Sequence, residues 1–288
     1  RIINIALHED IVKFTAAHIR SLCGTADFSS AAVIMPSKRP ALFIKRELSK
    51  NLNRSFIPPS FMTFDDIVSD ITAAHFNLKR ISEIDSAYII YDIVKKNIPQ
   101  FFEEKNSFAG FFQWSYEILS FIDALDTEKI TDDKLLNIKL NADIGYDLPA
   151  GINELLKHLY LIRRLFHKEL NASRKTTRGL SYYNADLKIL QHLKQYERVI
   201  LFNPYYLNKS ETDMFKKIYD EGKLDIIIKG DKNNWSALEK IYKDFSGSYE
   251  NGVSDKTNEN ISFYCAYDGE SQACLAGNLI NRLRLAVI

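Results

Sequence analysis

The 288-residue chain has little of what marks a specialised fold: three cysteines, 11 glycines and 7 prolines. Cys23, Cys265 and Cys274 stand in no CxxC or Cys/His spacing. They suggest neither a zinc site nor a disulfide framework, and all three are expected as buried thiols. The histidines are scattered singly, with no HxxxH or HxH pair to place two imidazoles on one metal. No apolar run approaches the roughly 18 residues that cross a bilayer, and Arg1-Ile2-Ile3-Asn4 lacks a signal-peptide layout. The expectation is therefore a cytoplasmic protein with no membrane partner. With 38 Lys+Arg against 37 Asp+Glu the formal charge is +1, which excludes a globally basic nucleic-acid binder and leaves any such contact to local patches. No internal repeat or low-complexity tract is visible. What is there is a 46% hydrophobic composition, enough to bury a real core. The absence of an initiating Met and the apolar run Leu285-Ala286-Val287-Ile288 lead us to expect a piece of a longer protein.

The opening reads strand, helix, strand, helix. Ile2 to Leu7 is a short apolar run; His8 to Leu22 has helical spacing, with Ile11, Phe14, Ala17, Ile19 and Leu22 expected to be buried and Gly24 as its stop. Ala31 to Met35 has the unbroken hydrophobicity of a strand covered on both faces. After it come Ser37 as a candidate N-cap and Pro40 in a first turn. From about Thr63 to Tyr196 helical periodicity dominates, with candidate helices over Ile84–Asn97, Phe108–Leu125, Ile152–Leu170 and Ser181–Gln195. Strand and helix then alternate again: a strand at Val199–Phe202, a helix at Glu211–Tyr219, a strand at Leu224–Ile228 and a helix at Asn234–Phe245. An exposed loop from Ser246 to Asn260 follows, then a strand at Ile261–Tyr267 and a helix at Glu270–Leu283. The pattern predicts a parallel sheet wrapped by helices, residues 1–65 plus 197–288, interrupted by a helical insertion, residues 66–196.

Chemical motifs are scarce. A nucleotide-binding turn needs glycine amides and a lysine, yet the first strand-to-helix turn reads Ala6-Leu7-His8-Glu9-Asp10, with two acids and no glycine. Glu221-Gly222-Lys223 spells the ExK of a nuclease but lies in a turn ahead of a strand, and we read it as coincidence. Charge is patterned instead. Lys157, Arg163, Arg164, Lys168, Arg174, Lys175 and Arg178 stand against Glu169 alone, whereas Glu103 to Asp133 is rich in acids. A second basic cluster, Lys38, Arg39, Lys45, Arg46, Lys50 and Arg54 against Glu47, begins at a helix N-terminus at the carboxyl end of a parallel strand, where α/β domains bind ligands.

These segments resemble a known family. Val33-Ile34-Met35-Pro36-Ser37-Lys38-Arg39 and the helix through Leu48 are similar to the V-x-P-[NS]-[KR]-R stretch of AddB-type helicase–nuclease subunits, followed as there by Pro58-Pro59 and Thr63 to Asp66. Phe111, Trp114, Leu119 and Asp123 to Asp126 resemble the family's aromatic helix. Phe263 to Ala273 resembles its later strand-then-helix element. The resemblance implies a RecA-like α/β domain with a helical insertion, preceding a further helicase-like half and a PD-(D/E)xK nuclease. It implies that Pro36 to Arg39 touch single-stranded DNA. The strand that would end in Asp-Glu reads Phe202-Asn203-Pro204, and Gly230-Asp231-Lys232-Asn233-Asn234 resembles Gly-Asp-x-x-Gln with Asn for Gln.

The expected function is a catalytically silent helicase-like module of a DNA double-strand-break repair helicase–nuclease, with no cofactor and no metal. It would hold a DNA strand at Ser37, Lys38, Arg39, Arg163, Arg164, Arg174 and Lys175, with Tyr182 and Tyr183 stacking on bases, and would dock an AddA/UvrD-like helicase subunit. Two alternatives stand beside it: part of an enzyme whose nuclease activity lies beyond residue 288, and a purely structural interaction module.

Overall fold

Adjacent residues of the apolar runs go to opposite sides of one sheet, as the period of two requires. Ile2, Ala32, Ile34, Val199, Leu201 and Ile226 enter one core, and Ile3, Val33, Met35, Ile200, Phe202 and Ile227 the other. The computed structural model describes residues 1–24, 26–50, 52, 55–99, 107–135, 150–230, 236–245, 249–252 and 264–285. Its strands β1 (Ile2–Ile5), β2 (Ala31–Met35), β3 (Ser60–Thr63), β6 (Arg198–Phe202), β7 (Leu224–Lys229) and β8 (Tyr249–Gly252) form a single parallel sheet in the order β3-β2-β6-β7-β1-β8. The chain is thus α/β with a parallel sheet. Four of the strands lie near their expected positions; the two at the edges, β3 and β8, were not foreseen. β3 is half-exposed along its whole length, so it lacks the apolar signature of a covered strand. β8 falls inside the expected polar loop and joins the sheet through its backbone pairing with β1, from Ile2 opposite Tyr249 to Ile5 opposite Gly252.

One face of the sheet is covered by α1 (Ile11–Cys23) and α2 (Arg39–Lys50). The other carries α3 (Phe64–Ile71, continued by a π-helical turn over Thr72–Phe76), α7 (Arg178–Ala185), α8 (Ile189–His192), α9 (Lys209–Asp220) and α10 (Ser236–Phe245). α1 ends at Gly24 with φ of 84°, which only glycine adopts without strain. Its buried positions are Thr15, Ala16, His18 and Ile19, and Ala17 faces out. Ile19 is buried and Ile11, Phe14 and Leu22 pack against the same core as expected; His18 also turns inward, where its Nε2 meets Asp225 Oδ2 of β7 at 2.8 Å. Burial by itself would push the Asp225 carboxyl up, but the His18 partnership and the positive charges of the Arg1 amino group and guanidinium together hold the group below the usual carboxylate range. Glu221-Gly222-Lys223 lies in the turn before β7, with Gly222 at φ of 69°.

Between β3 and β6 the chain builds a second core from α4 (Glu83–Asn97), α5 (Phe108–Thr127) and α6 (Ala150–Ala172), through Ile90, Val94, Phe111, Ile118, Ile122, Ile162 and Phe166. Serines cap two of these helices: Ser82 accepts from Asp85 N and Ser107 from Gly110 N. The expected helix over Ser181–Gln195 is instead two, α7 and α8, starting at Arg178 and separated by the turn at Asp186 to Lys188. A two-residue parallel ladder, β4 (Lys79–Arg80) with β5 (Lys175–Thr176), also occurs in this stretch.

By contacts the chain divides into residues 1–253, which hold all of the above, and residues 254–288. The second unit contains α11 (Gly269–Leu285). Of the strand expected over Ile261–Tyr267, residues 261–263 lie outside the described ones and Tyr264 to Tyr267 have no strand geometry. Cys265 and Cys274 are exposed and Cys23 is only half-buried, so the expectation of three buried thiols is corrected. Among the described residues, no helix is long and apolar enough to cross a membrane.

Candidate functional site

Because every strand of the sheet is parallel, all their carboxyl ends lie along one edge. β2 and β6 are neighbours, yet β2 leads through α2 outward to β3, while β6 leads through α9 on the opposite face to β7. Diverging connections from adjacent strands mark there the switch point whose crevice is the usual ligand position in an open α/β sheet. Pro36-Ser37-Lys38 borders it on the β2 side and Asn203-Pro204 on the β6 side.

The turn after β1, at the same end of the sheet, is occupied by the chain itself. Asp10 Oδ1 accepts from Val12 N at 2.9 Å and Lys13 N at 3.2 Å, so a carboxylate already sits where a helix N-terminus would hold a phosphate. Lys229 Nζ is spent on the carbonyl of Glu9, 2.6 Å away. Asn203, in the left-handed region at φ of 46°, donates its N–H to Ile227 O, and its side-chain Oδ1 accepts from Lys229 N. Its amide therefore ties the ends of β6 and β7 together. Residues 231–235, including most of the Gly230 to Asn234 segment, lie outside the described residues.

Ser37, Lys38 and Arg39 are all exposed at the crevice. α2 begins at Arg39, so Lys38 and not Ser37 precedes the helix. Lys38 Nζ reaches Asp66 at 3.1 Å, but with 78% of its side chain exposed this ion pair contributes little and is screened by salt. Arg39, Leu42, Phe43, Arg46 and Lys50 recur at spacings of three and four and form the outer stripe of α2. Leu42 is 69% exposed, Phe43 42%. Lys45 lies over the Phe61 ring at 5.2 Å. Arg54 lies outside the described residues.

The second basic stretch does not form one surface. Arg163 is buried: its Nε and Nη2 both donate to Asp126 Oδ1, at 2.9 and 2.7 Å, and its Nη1 donates to Ile130 O and Asp132 Oδ1. Its expected DNA contact is thereby corrected, since each of these donors faces a partner inside the fold. Arg164 is exposed beside Tyr160, Arg174 is exposed at φ of 53°, and Lys175 is half-buried in β5. Tyr182 is also buried and cannot stack on a base. Its hydroxyl donates to Asp65 at 2.8 Å, and the Arg178 guanidinium lies 4.7 Å above its ring while bonding the same Asp65. Tyr183, half-buried, lies under Lys129.

Sequence reasoning missed an acidic cleft of about 460 Å³ between α4, α5, the start of α7 and the segment before α9, with Glu83, Asp123, Glu128, Tyr116 and Tyr206 among its lining residues. Asp123 caps α7, accepting from the Thr177 hydroxyl and from Gly179 N, and burial pushes its carboxyl up against those hydrogen bonds. Nearby Glu211 closes a capping box with Asn208, and burial pushes it up to about 7. Glu83 comes from α4 while Asp123 and Glu128 come from α5 and its C-cap, so no linear motif announces the cleft. Among the described residues, no group of His, Cys, Asp and Glu is arranged to hold a metal ion. No protein-family model matches the chain, and no curated protein matches it.

Proposed function

We propose that the chain is a catalytically silent, RecA-like module of an AddB-like helicase–nuclease, which holds single-stranded DNA at the β2–α2 crevice and works beside an AddA/UvrD-like helicase subunit in double-strand-break repair. The observation that carries this reading is the contrast between two strand-to-helix turns at the same end of the sheet. The helix N-terminus after β1 is closed by its own Asp10, whereas the one after β2 presents Ser37, Lys38 and Arg39 and continues into a stripe of arginines and exposed apolar side chains. Phosphates are attracted by the cations, and Phe43 offers a ring face to a base without sequence preference. Arg164, Arg174 and Lys175 are secondary contacts at most, since they stand on a different core from α2.

The test is fluorescence anisotropy of a labelled oligothymidine against the wild type and two double variants. Lys38→Glu/Arg39→Glu should weaken binding and lower the slope of log K against log salt by about 0.7 per lost phosphate contact. Lys194→Glu/Lys223→Glu, which alters residues before β6 and β7 at the opposite edge of the sheet, should change it far less. Lys217 is unsuitable as a control because it pairs with Asp186 at 2.8 Å. Equal losses from both doubles would reduce the attraction to diffuse charge and remove the crevice from the proposal.

A further inference from the structure

Positions 108, 112, 116, 120, 124 and 128 of α5 and its C-cap follow one i+4 ridge, the kind of row that a second helix packs against. Its first half is aromatic: Phe108, Phe112 and Tyr116, with Phe108 meeting Tyr88 of α4 edge-on at 5.3 Å and Phe112 at 5.6 Å. Phe108 is half-buried against the helical core, but its neighbours on the patch face solvent. Tyr88 is 54% exposed, Tyr116 41% and Phe112 37%, and Ile84 extends the patch along α4. A run of exposed rings of this kind marks an interaction surface. The second half of the ridge changes character, because Ser120 and Ala124 are small and the surface sinks into the cleft walled by Glu83, Asp123 and Glu128.

The charge lining this region is mostly negative. Among the described residues Arg178 is the one cation lining the cleft, already committed to Asp65 and the Tyr182 ring, while Lys240 lies over the Tyr206 ring at 5.3 Å. Lys129, the one lysine among the described residues from 107 to 135 apart from Lys134, is divided between Asp186 and Asp213. Glu83, in contrast, stands exposed at the start of α4. A nucleic-acid backbone would be repelled here. Glu128 accepts from the Tyr206 hydroxyl at 3.0 Å and from Lys209 N at 3.3 Å, so an incoming lysine or arginine would meet the exposed Glu83 first, with Glu128 and the Tyr116 ring beside it.

We propose that this ridge and cleft form a docking site for an amphipathic, cationic helix of a partner protein, whose apolar side chains lie on Phe112, Tyr116 and Tyr88 and whose Lys or Arg enters the cleft beside Glu83 and Glu128. Helix-in-groove recognition supplies the affinity through the apolar anchors, and the acids select the sign of charge. The inference does not rest on the DNA proposal: it uses none of the residues of the β2–α2 crevice.

The experiment titrates the full chain with two labelled helical peptides that share one Leu/Phe face and differ only in carrying lysines or glutamates on the flanks. The lysine peptide should bind in about the micromolar range, and the glutamate peptide at least about tenfold more weakly. Phe112→Ala and Tyr116→Ala should each reduce lysine-peptide binding about tenfold or more, and Glu83→Lys should reduce it severalfold with a shallower salt dependence. All three positions are exposed, so circular dichroism should show unchanged helix content. Equal affinity for both peptides would show mere apolar adhesion and overturn the proposal. So would lysine-peptide binding indifferent to all three substitutions. If sedimentation instead shows concentration-dependent self-association that is abolished by Phe112→Ala, while the peptide fails to bind, the occupant is a second copy and the proposal falls. Loss of oligothymidine binding in Phe112→Ala would place the ridge on the DNA path and overturn it equally. Failure of the Lys38→Glu/Arg39→Glu test leaves every one of these outcomes readable.

Discussion

Replacing Arg163 by methionine isolates what the buried charges of the helical core are for. Asp126 is fully buried, and two of its three side-chain partners are nitrogens of the same guanidinium; the third is His167 Nε2 at 2.9 Å. The Arg163 side chain is itself only 4% exposed. Arg163→Met keeps most of the apolar stem and removes the charge, leaving Asp126 in the interior without its bidentate partner. Breaking a buried pair from one side costs about 3–5 kcal/mol, because the remaining charge keeps its desolvation penalty. For a unit of this size that corresponds to a fall in Tm of roughly 6–20 °C. Urea unfolding followed by circular dichroism measures the loss through its midpoint at unchanged slope. The double variant Arg163→Met/Asp126→Leu should recover most of it, since removing both charges also removes the penalty. Neither variant should alter the salt slope of oligothymidine binding. A loss below about 1 kcal/mol, the range of solvent-exposed ion pairs, would refute the reasoning. A double variant no more stable than the single would do so as well.

Three further outcomes are expected. Glu211 is held at about 7 by burial, against 4.5 for the free group, so the folded state keeps a proton that the unfolded state releases between these values. Its contribution to stability is fully present below pH 4.5 and is lost as pH rises through 7, by about 3 kcal/mol in all. Glu211→Gln should therefore match the wild type near pH 4.5 and exceed it at pH 8, and urea midpoints that run parallel across that range would contradict this. At Gly179 an added Cβ would stand 2.5 Å from the backbone oxygen of Asp123, so Gly179→Ala must displace the start of α7 and should cost about 1–3 kcal/mol or more in the same unfolding assay. Calorimetry with ATP and magnesium should register no saturable binding, because Asp10 and Lys229 occupy the turn after β1; micromolar binding displaced by ADP would disprove it.

Several features follow from local pattern alone. The unbroken apolar runs Ala31–Met35 and Leu224–Ile228 imply a sheet covered on both faces, because a strand with one wet side alternates. The absence of glycine from Ala6 to Asp10 excludes a phosphate-cradling loop without reference to any fold. Ser37, Lys38 and Arg39 were legible as an exposed basic step because they follow a buried strand directly. What the sequence could not decide is whether a given charge finds a partner far along the chain. Arg163 and Arg164 are adjacent and identical in type; one is buried against Asp126 and the other is exposed, and only the packing of α6 on α5 distinguishes them. His18 and Asp225 pair across most of the chain, which puts a histidine on the buried face of α1 beside Ile19. The acidic cleft likewise exists only once α4, α5 and the turn before α9 are brought together. Periodicity records how each residue is partitioned between water and core, a local property. Strand order, the edge strands β3 and β8, and the fate of each buried charge are set by which elements become neighbours, and that is a property of the tertiary structure.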